Sequence, residues 1–416
     1  MLLAEAPRPT SVHRRILLLS LLGWTFDFYD LILYTFLTRE ITEELGLTRF
    51  DHSVALGISF AATAAGGIAC GFLADRFGRR TLVSWTILLY SAGSLLSGLA
   101  WSRESLFFAR IVTGFGVGGE WAAGHALVAE TFPPAHRGRA GALLQSGAPL
   151  GVGLAAFVGT VLVPRFGWRA CLVGSSMTGV VAFLARRFMP ESDLWKLGRA
   201  DRFGAGLKRL LAGDASRSFY LGFVLTALNG ASYWLTYSWM PEYLRGRGLA
   251  LTTTGVWYGV IVAGELVGYT SFGFVSDRLG RRPAFTSFTV LMAAGLLPIT
   301  VFWEGFLRAP ELLLLSMFVV GLGTGTWSNF GPMLAELFPT SLRNTAMGAV
   351  LNLARGVQFG APYLIALLEP VWGMEAGIGL AAAFAAAAGG FVWVLPETRA
   401  RNLAVGLEER AGDRGV

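Results

Sequence analysis

Gly71-Phe-Leu-Ala-Asp75-Arg76-Phe-Gly78-Arg79-Arg80 returns, 202 residues later, as Gly273-Phe-Val-Ser-Asp277-Arg278-Leu-Gly280-Arg281-Arg282. Each copy closes an apolar run with a carboxylate, a glycine suited to a tight turn and a pair of arginines. Two more pieces recur at an offset of 206: Ala129-Glu130-Thr131-Phe132-Pro133 as Ala335-Glu336-Leu337-Phe338-Pro339, and Pro190-Glu191-Ser192 as Pro396-Glu397-Thr398. Three matches at nearly one offset mark the chain as two copies of one unit. Parallel repeats of six helices with a solute site between them are a recurrent transporter plan.

The rest of the chain agrees. Of its 416 residues 54% are hydrophobic and 15% charged, with a mean hydropathy of +0.55; soluble domains carry about 25% charged residues. A soluble protein would need a polar surface that this composition does not supply, whereas lipid accepts an apolar one. The net charge of +7 does not indicate nucleic acid, because the cations fall in short clusters between apolar runs. Cys70 and Cys171 both lie inside apolar segments, which argues against a disulfide framework or a metal site. Arg14 and Arg15 precede an apolar run, as in a signal peptide, but Asp27 and Asp30 interrupt that run and it continues too far, so it reads as a retained first membrane helix.

A membrane-crossing helix takes about 20 mostly apolar residues. Twelve spans are predicted: 16–38, 53–75, 81–100, 105–130, 138–163 and 168–189, then 217–241, 253–275, 283–303, 310–335, 343–368 and 373–395. The runs lack the alternation of a β-barrel. The expected fold is therefore an all-α, polytopic membrane protein with two pseudo-symmetric six-helix bundles: 1–189, a cytoplasmic linker 190–216, and 217–416 with a short cytoplasmic tail. One set of loops holds only Arg39, Arg49, Arg103, Arg165, Arg169, Arg245, Arg247 and Arg308 of the 34 Lys+Arg. Apart from Arg110 and Arg355, which lie within spans, the remaining cations share the side of both termini, which the positive-inside rule makes cytoplasmic.

These residues resemble the major facilitator superfamily, whose most specific signature is the G-x3-D-R-x-G-R-R loop, and the resemblance covers essentially the whole chain. It implies transport across a bacterial-type inner membrane by two bundles that rock about a central site. Arg110-Ile-Val-Thr-Gly114-Phe-Gly116-Val-Gly118-Gly119-Glu120-Trp121 looks like the fourth helix of the metabolite:proton and sialate:proton symporters. Phe26-Asp27-Phe28-Tyr29-Asp30 is similar to their paired-acid signature, and Asn352-Leu-Ala-Arg355-Gly356 resembles the sialate/lactate-type carboxylate symporters. Pro190-Glu191-Ser192 is shared with sugar porters, in which an acid that Asp30 resembles pairs with an arginine that Arg110 resembles.

A charge at mid-helix costs about 2.5–3.5 kcal/mol on insertion scales and so needs a purpose. Asp27 and Asp30, spaced i,i+3, share a helix face; they are read as proton-coupling groups, or as structural partners of Arg110. Glu120 is a second proton-site candidate, or half of a buried ion pair. Arg355 presents a planar fork that fits a carboxylate, either the solute's or an acid such as Glu265. Asn352 and Gln358 accompany it. Asn229, Tyr233 and Tyr237, at i, i+4 and i+8, line one face of the seventh span, as a solute-orienting wall or as packing. Gln145, Glu265 and Asn329 are further cavity candidates; His125, which titrates near neutrality in principle, reads as a solvated or packing residue ahead of a functional one. Asp75, Arg76, Arg79, Glu130, Asp277, Arg278, Arg281 and Glu336 are read as a cytoplasmic gate that favours the outward-facing state.

The sequence carries no P-loop, and its one G-x-G-x-x-G string lies inside an apolar span instead of after a strand. No cofactor is expected, nor a nucleophile–base arrangement, so an enzyme is not expected. The expected function is proton-coupled symport of a small organic anion, a mono- or dicarboxylate or a sialate-like acid. A proton-coupled sugar porter and a non-transporting solute sensor remain alternatives. The expected partners are the anion, protons and the lipid bilayer, not nucleic acid, and the protein is expected to be a monomer.

Overall fold

The computed structural model describes residues 3–186, 189–197, 203–247, 251–301, 303, 310–358, 377–401 and 403. Among these no strand occurs. The first half runs α1 (Ser11–Phe36), the short α2 (Thr38–Leu45), α3 (Arg49–Phe77), α4 (Arg79–Gly98), α5 (Arg103–Thr131), α6 (Arg137–Gln145), α7 (Gly147–Phe157) and α8 (Val163–Arg186). The short α9 (Asp193–Leu197) and α10 (Phe203–Ala212) follow. The second half runs α11 (Ser216–Gly246), α12 (Leu251–Leu279), α13 (Arg281–Val301), α14 (Pro310–Gly323), α15 (Trp327–Leu337), α16 (Arg343–Gln358) and α17 (377–391). Side-chain oxygens start the long helices where the sequence offers them: Thr48 Oγ1 accepts from Asp51 N ahead of α3, and Ser102 Oγ from Ser105 N ahead of α5.

Each of the twelve predicted spans contains a helix, although only eight helical stretches among the described residues are apolar enough by composition to cross a membrane. The difference has physical causes. α5 and α11 are long enough, at 29 and 31 residues, but Arg110, Glu120, Asn229 and several hydroxyls dilute them. One apolar stretch, Pro134–Met177, holds the fifth span and much of the sixth, divided at Gly167. The end of the eleventh span and the start of the twelfth, 359–376, lie outside the described residues.

The burial pattern is that of a membrane protein. Trp85, Phe108, Phe157, Phe166, Met177, Val290 and Val301 face outward, while Asp27, Asp30, Arg110, Glu120 and Glu265 are buried. Lipid solvates the first group, and the second must find partners inside. The halves meet where α3 packs on α16, α6 on α12, and α15 on α5 and α6. Small residues let the backbones touch there. A Cβ on Gly348 would run into the Gly67 carbonyl, and one on Gly273 would lie 2.8 Å from Arg139 Cα.

Candidate functional site

Polar groups collect in the interior along α1, α5, α11, α12 and α16. Asp27 and Asp30 are 0% and 3% exposed, but they do not share a target. Asp30 faces the Arg110 guanidinium of α5 and bonds Ser94 of α4. Arg110 Nε in turn donates to Ser59 Oγ of α3 at 3.1 Å, and its guanidinium lies 4.1 Å from the centre of the Tyr34 ring. This knot stays within the first half. Asp27 instead bears electrostatically on Arg355 of α16, in the second half. The i,i+3 spacing corresponds to about 60° of rotation and one turn of height, enough to aim two carboxyls at different helices.

Asn352, one turn before Arg355, donates through Nδ2 to Gly348 O at 2.8 Å, and its amide packs where a Cβ on Gly67 would sit. The side chain of Gln358 lies outside the described residues. Gln145, expected as a cavity candidate, is 4% exposed and engaged with α5. Its Oε1 accepts from Trp121 Nε1 at 3.1 Å and pairs with His125 Nε2 at 3.0 Å, in a buried cluster joining α5 to α6. His125 lies against Gly331 of α15 as a packing group. Asn329 Nδ2 sits 3.2 Å from Met333 Sδ of its own helix, and Glu120 is 2% exposed.

The face of α11 is also partly redirected. Tyr233 and Tyr237 stack with ring centres 4.2 Å apart, and their hydroxyls reach Glu265 of α12 at 3.4 and 3.5 Å. Tyr269 of α12 bonds the same carboxylate. Trp327 stands edge-on to Tyr233 at 5.7 Å, and Asn229 is buried one turn away.

The duplicated motifs interlock at one end of the seam. Asp75 Oδ1 accepts from Asn344 N at 3.2 Å and Nδ2 at 3.0 Å, and its Oδ2 accepts from Thr345 N at 2.9 Å and Oγ1 at 2.8 Å. An acid of α3 thus caps α16 of the other half, where free amides and the helix dipole favour an anion. Asp277 does the same for α6, accepting from Gly138 N at 3.0 Å, Arg139 N at 3.1 Å and Arg139 Nε at 3.0 Å. Glu130 binds Arg79 at 3.0 Å, together with Arg343 and Ser192. Glu336 binds Arg281 at 3.0 Å, Arg137 at 3.4 Å and Thr398 at 2.8 Å.

A second pair of acids sits behind these. Glu191 accepts from Arg79 N and Arg80 N, both at 3.1 Å, and Glu397 from Arg281 N at 2.9 Å and Arg282 N at 3.1 Å. The turns they cap need glycine. Gly78 and Gly280 have φ of 104° and 105°, and a Cβ on Gly280 would approach Glu397 to 2.9 Å. Burial pushes the Glu191 carboxyl above the usual range. Burial acts in the same direction on Glu397, but the N–H groups of Arg281, Arg282, Arg399 and Thr398 outweigh it and hold that carboxyl low.

Arg76 and Arg278, expected in the gate, are exposed, because Arg79 and Arg281 occupy the inward face one turn later. Sequence reasoning left Arg137, Arg343, Asn344 and Thr345 out of the site. The offset of 206 that relates Glu130 to Glu336 also relates Arg137 to Arg343, and was the available signal. Asn344 and Thr345 have no counterpart in kind at Gly138 and Arg139, so repetition could not reveal them.

The model of the Major Facilitator Superfamily matches residues 16–272 and 223–412. A probable 4-methylmuconolactone transporter of Cupriavidus pinatubonensis is 30% identical over 91% of this chain and 89% of its own. The sialic acid transporter NanX of Escherichia coli is 26% identical over 87% of this chain and 89% of its own. Among solved structures, the proton:xylose symporter XylE superposes with a TM-score of 0.77 at 19% identity, covering 96% of this chain and 99% of that one. Together with the apolar helices and their interlocked repeat, these matches make the protein an integral membrane transporter that belongs to the Major Facilitator Superfamily.

Proposed function

We propose that the chain carries a small organic anion across the inner membrane together with protons, by alternating access between its two halves. What supports this reading is the placement of Arg355, on one half, within electrostatic range of the fully buried Asp27, on the other. A solute carboxylate and the Asp27 carboxylate compete for one guanidinium. When Asp27 takes a proton, Arg355 turns its charge to the anion; when the anion leaves, Asp27 ionises and reclaims it. Proton and solute then have different affinities in the two states, which coupling requires. Relatives whose names specify a muconolactone and a sialic acid support the choice of an organic acid.

In this scheme Asn352, Gln358, Asn229, Tyr233, Tyr237, Gln145 and Asn329 orient the solute or hold the wall behind it. Asp30, Arg110 and Glu120 complete the coupling network. Residues 190–216 link the halves on the cytoplasmic side, and the interlocked end forms the inner gate, shut here. The transporter works as a monomer.

The test is uptake into proteoliposomes of lactate, cis,cis-muconate, 4-methylmuconolactone, sialic acid and xylose, with and without an inward proton gradient. A carboxylate should accumulate with the gradient. Arg355→Ala should lose that uptake, and Asp27→Asn should lose the gradient dependence while keeping some exchange. Xylose uptake that survives Arg355→Ala would instead identify a sugar porter, and binding without uptake a sensor.

A further inference from the structure

We infer that Glu265 is a second proton-carrying carboxyl, and that its protonation hands the Tyr233 and Tyr237 hydroxyls to the solute's carboxylate. This rests on the anion-symport reading above but invokes a different helix and a different half. Glu265 is the middle residue of the 29-residue α12 and is 4% exposed. Five other buried acids each have an arginine as partner: Asp30 has Arg110, Asp27 acts electrostatically on Arg355, Asp75 has Arg79, Glu130 has Arg79 and Arg343, and Glu336 has Arg281 and Arg137. Among the described residues Glu265 faces only phenols.

The elements packed on α12 support this account: of the first half, α6 carries Arg137 and Arg139 at its far end, bound to Glu336 and Asp277, and α7 carries no titratable group. α11 supplies Tyr233 and Tyr237, and α12 itself supplies Tyr269. α14 packs so closely that a Cβ on Gly321 would lie 2.8 Å from Glu265 N, and it brings no titratable group to that level. The only titratable residues of α13 are Arg281 and Arg282, at its far end, and α15 contributes the indole of Trp327 against Tyr233.

Three O–H donors suit an ionised carboxylate, which only accepts hydrogen bonds. They do not supply the opposite charge that such a group needs at membrane depth. A proton removes the charge. It also changes what the phenols must do, because a carboxylic acid has one donor of its own and less acceptor strength. Tyr233 and Tyr237, stacked on one face of α11 with Asn229 one turn before them, are then released to donate to an arriving anion. The proton enters from the water to which the site is open and leaves on the other side with the solute. A singly charged solute replaces the charge that Glu265 gives up, so the local charge stays constant through loading.

The experiment is infrared difference spectroscopy of the full-length protein in proteoliposomes, titrated from mildly acid to mildly alkaline pH. The wild type should show a protonated-carboxyl band that is lost in Glu265→Gln. Tyr233→Phe should raise its midpoint, because it removes a donor to the ionised form. Should the glutamine variant not fold, Glu265→Asp should keep a titrating band at a displaced frequency. Identical titrations of the wild type and Glu265→Gln, or a midpoint unmoved by Tyr233→Phe, would overturn the assignment. The second arm adds whichever carboxylate of the uptake panel is transported: the band should grow in the wild type, and a band indifferent to that anion would overturn the handover. If no carboxylate is transported at all, the anion reading and the handover fall together, while the titration still decides whether Glu265 carries a proton.

Discussion

The two latches descend from one motif and close the same end of the seam, yet they are built from different materials. Each acid pairs with the buried arginine of its own loop, Asp75 with Arg79 at 3.2 Å and Asp277 with Arg281 at 3.1 Å; across the seam, Asp75 is held by four neutral donors of Asn344 and Thr345, and its side chain is 1% exposed. Asp277 is held by two amides and by the Arg139 guanidinium, which is 37% exposed. The first latch is dry and rests on oriented hydrogen bonds, whereas the second leans partly on a charge that water and salt can reach. Duplication has preserved the position of each carboxylate while the partner that answers it has diverged.

The largest effect is expected from removing the acids. Asp75→Ala leaves four inward donors of Asn344 and Thr345 unanswered, while Arg79 keeps Glu130, and should destabilise the closed form by about 3 kcal/mol, the upper range for unsatisfied buried groups. Asp277→Ala should do less, because Arg139 can turn to solvent. Thermal unfolding in detergent and spin-label distances between α3 and α16 would rank the two, and the reverse order would break the comparison. A smaller effect is expected at Arg139→Ala, about 0.5 kcal/mol, as for exposed ion pairs. High salt should reproduce it on the α6–α12 side and leave the α3–α16 distance unchanged.

The smallest effect concerns the paired glutamates. Glu397, held below the usual range, adds stability above that range and loses it as the pH falls through its depressed value. Glu191, raised by burial, subtracts stability when ionised, and acid relieves this. Melting curves across acid pH should therefore flatten in Glu397→Gln, while Glu191→Gln should change little or raise stability slightly at neutral pH. Equal behaviour of the two variants would mean that the copies are electrostatically equivalent.

Much of this was legible in the chain itself. Apolar runs of the right length, broken by arginine clusters, gave the helices, because a bilayer imposes a length and a polarity that few other constraints match. The repeated Asp-Arg-x-Gly-Arg-Arg and Glu-x-Phe-Pro pieces marked the interlocked end. Partners across the seam were not legible. Nothing in the string from Asn352 to Arg355 points to Asp27, more than three hundred residues earlier, and nothing around Tyr233 says that its hydroxyl turns to Glu265 before it turns to a cavity. Such pairings arise only when two helices come together at a fixed rotation, and periodicity within one helix does not determine that rotation.

The touching backbones of Gly67 and Gly348 would make that point of the seam a fulcrum in the proposed alternating access. Asn344 and Thr345, in the grip of Asp75, lie about 6 Å along α16 on one side of it, and Arg355 lies about 10 Å along on the other. If α16 tilts there as a stiff rod, releasing the short arm from Asp75 swings the longer arm toward the first half. Arg355 would then close on whatever stands between it and Asp27, and a single mechanical linkage would open one end of the pathway as it shuts the other.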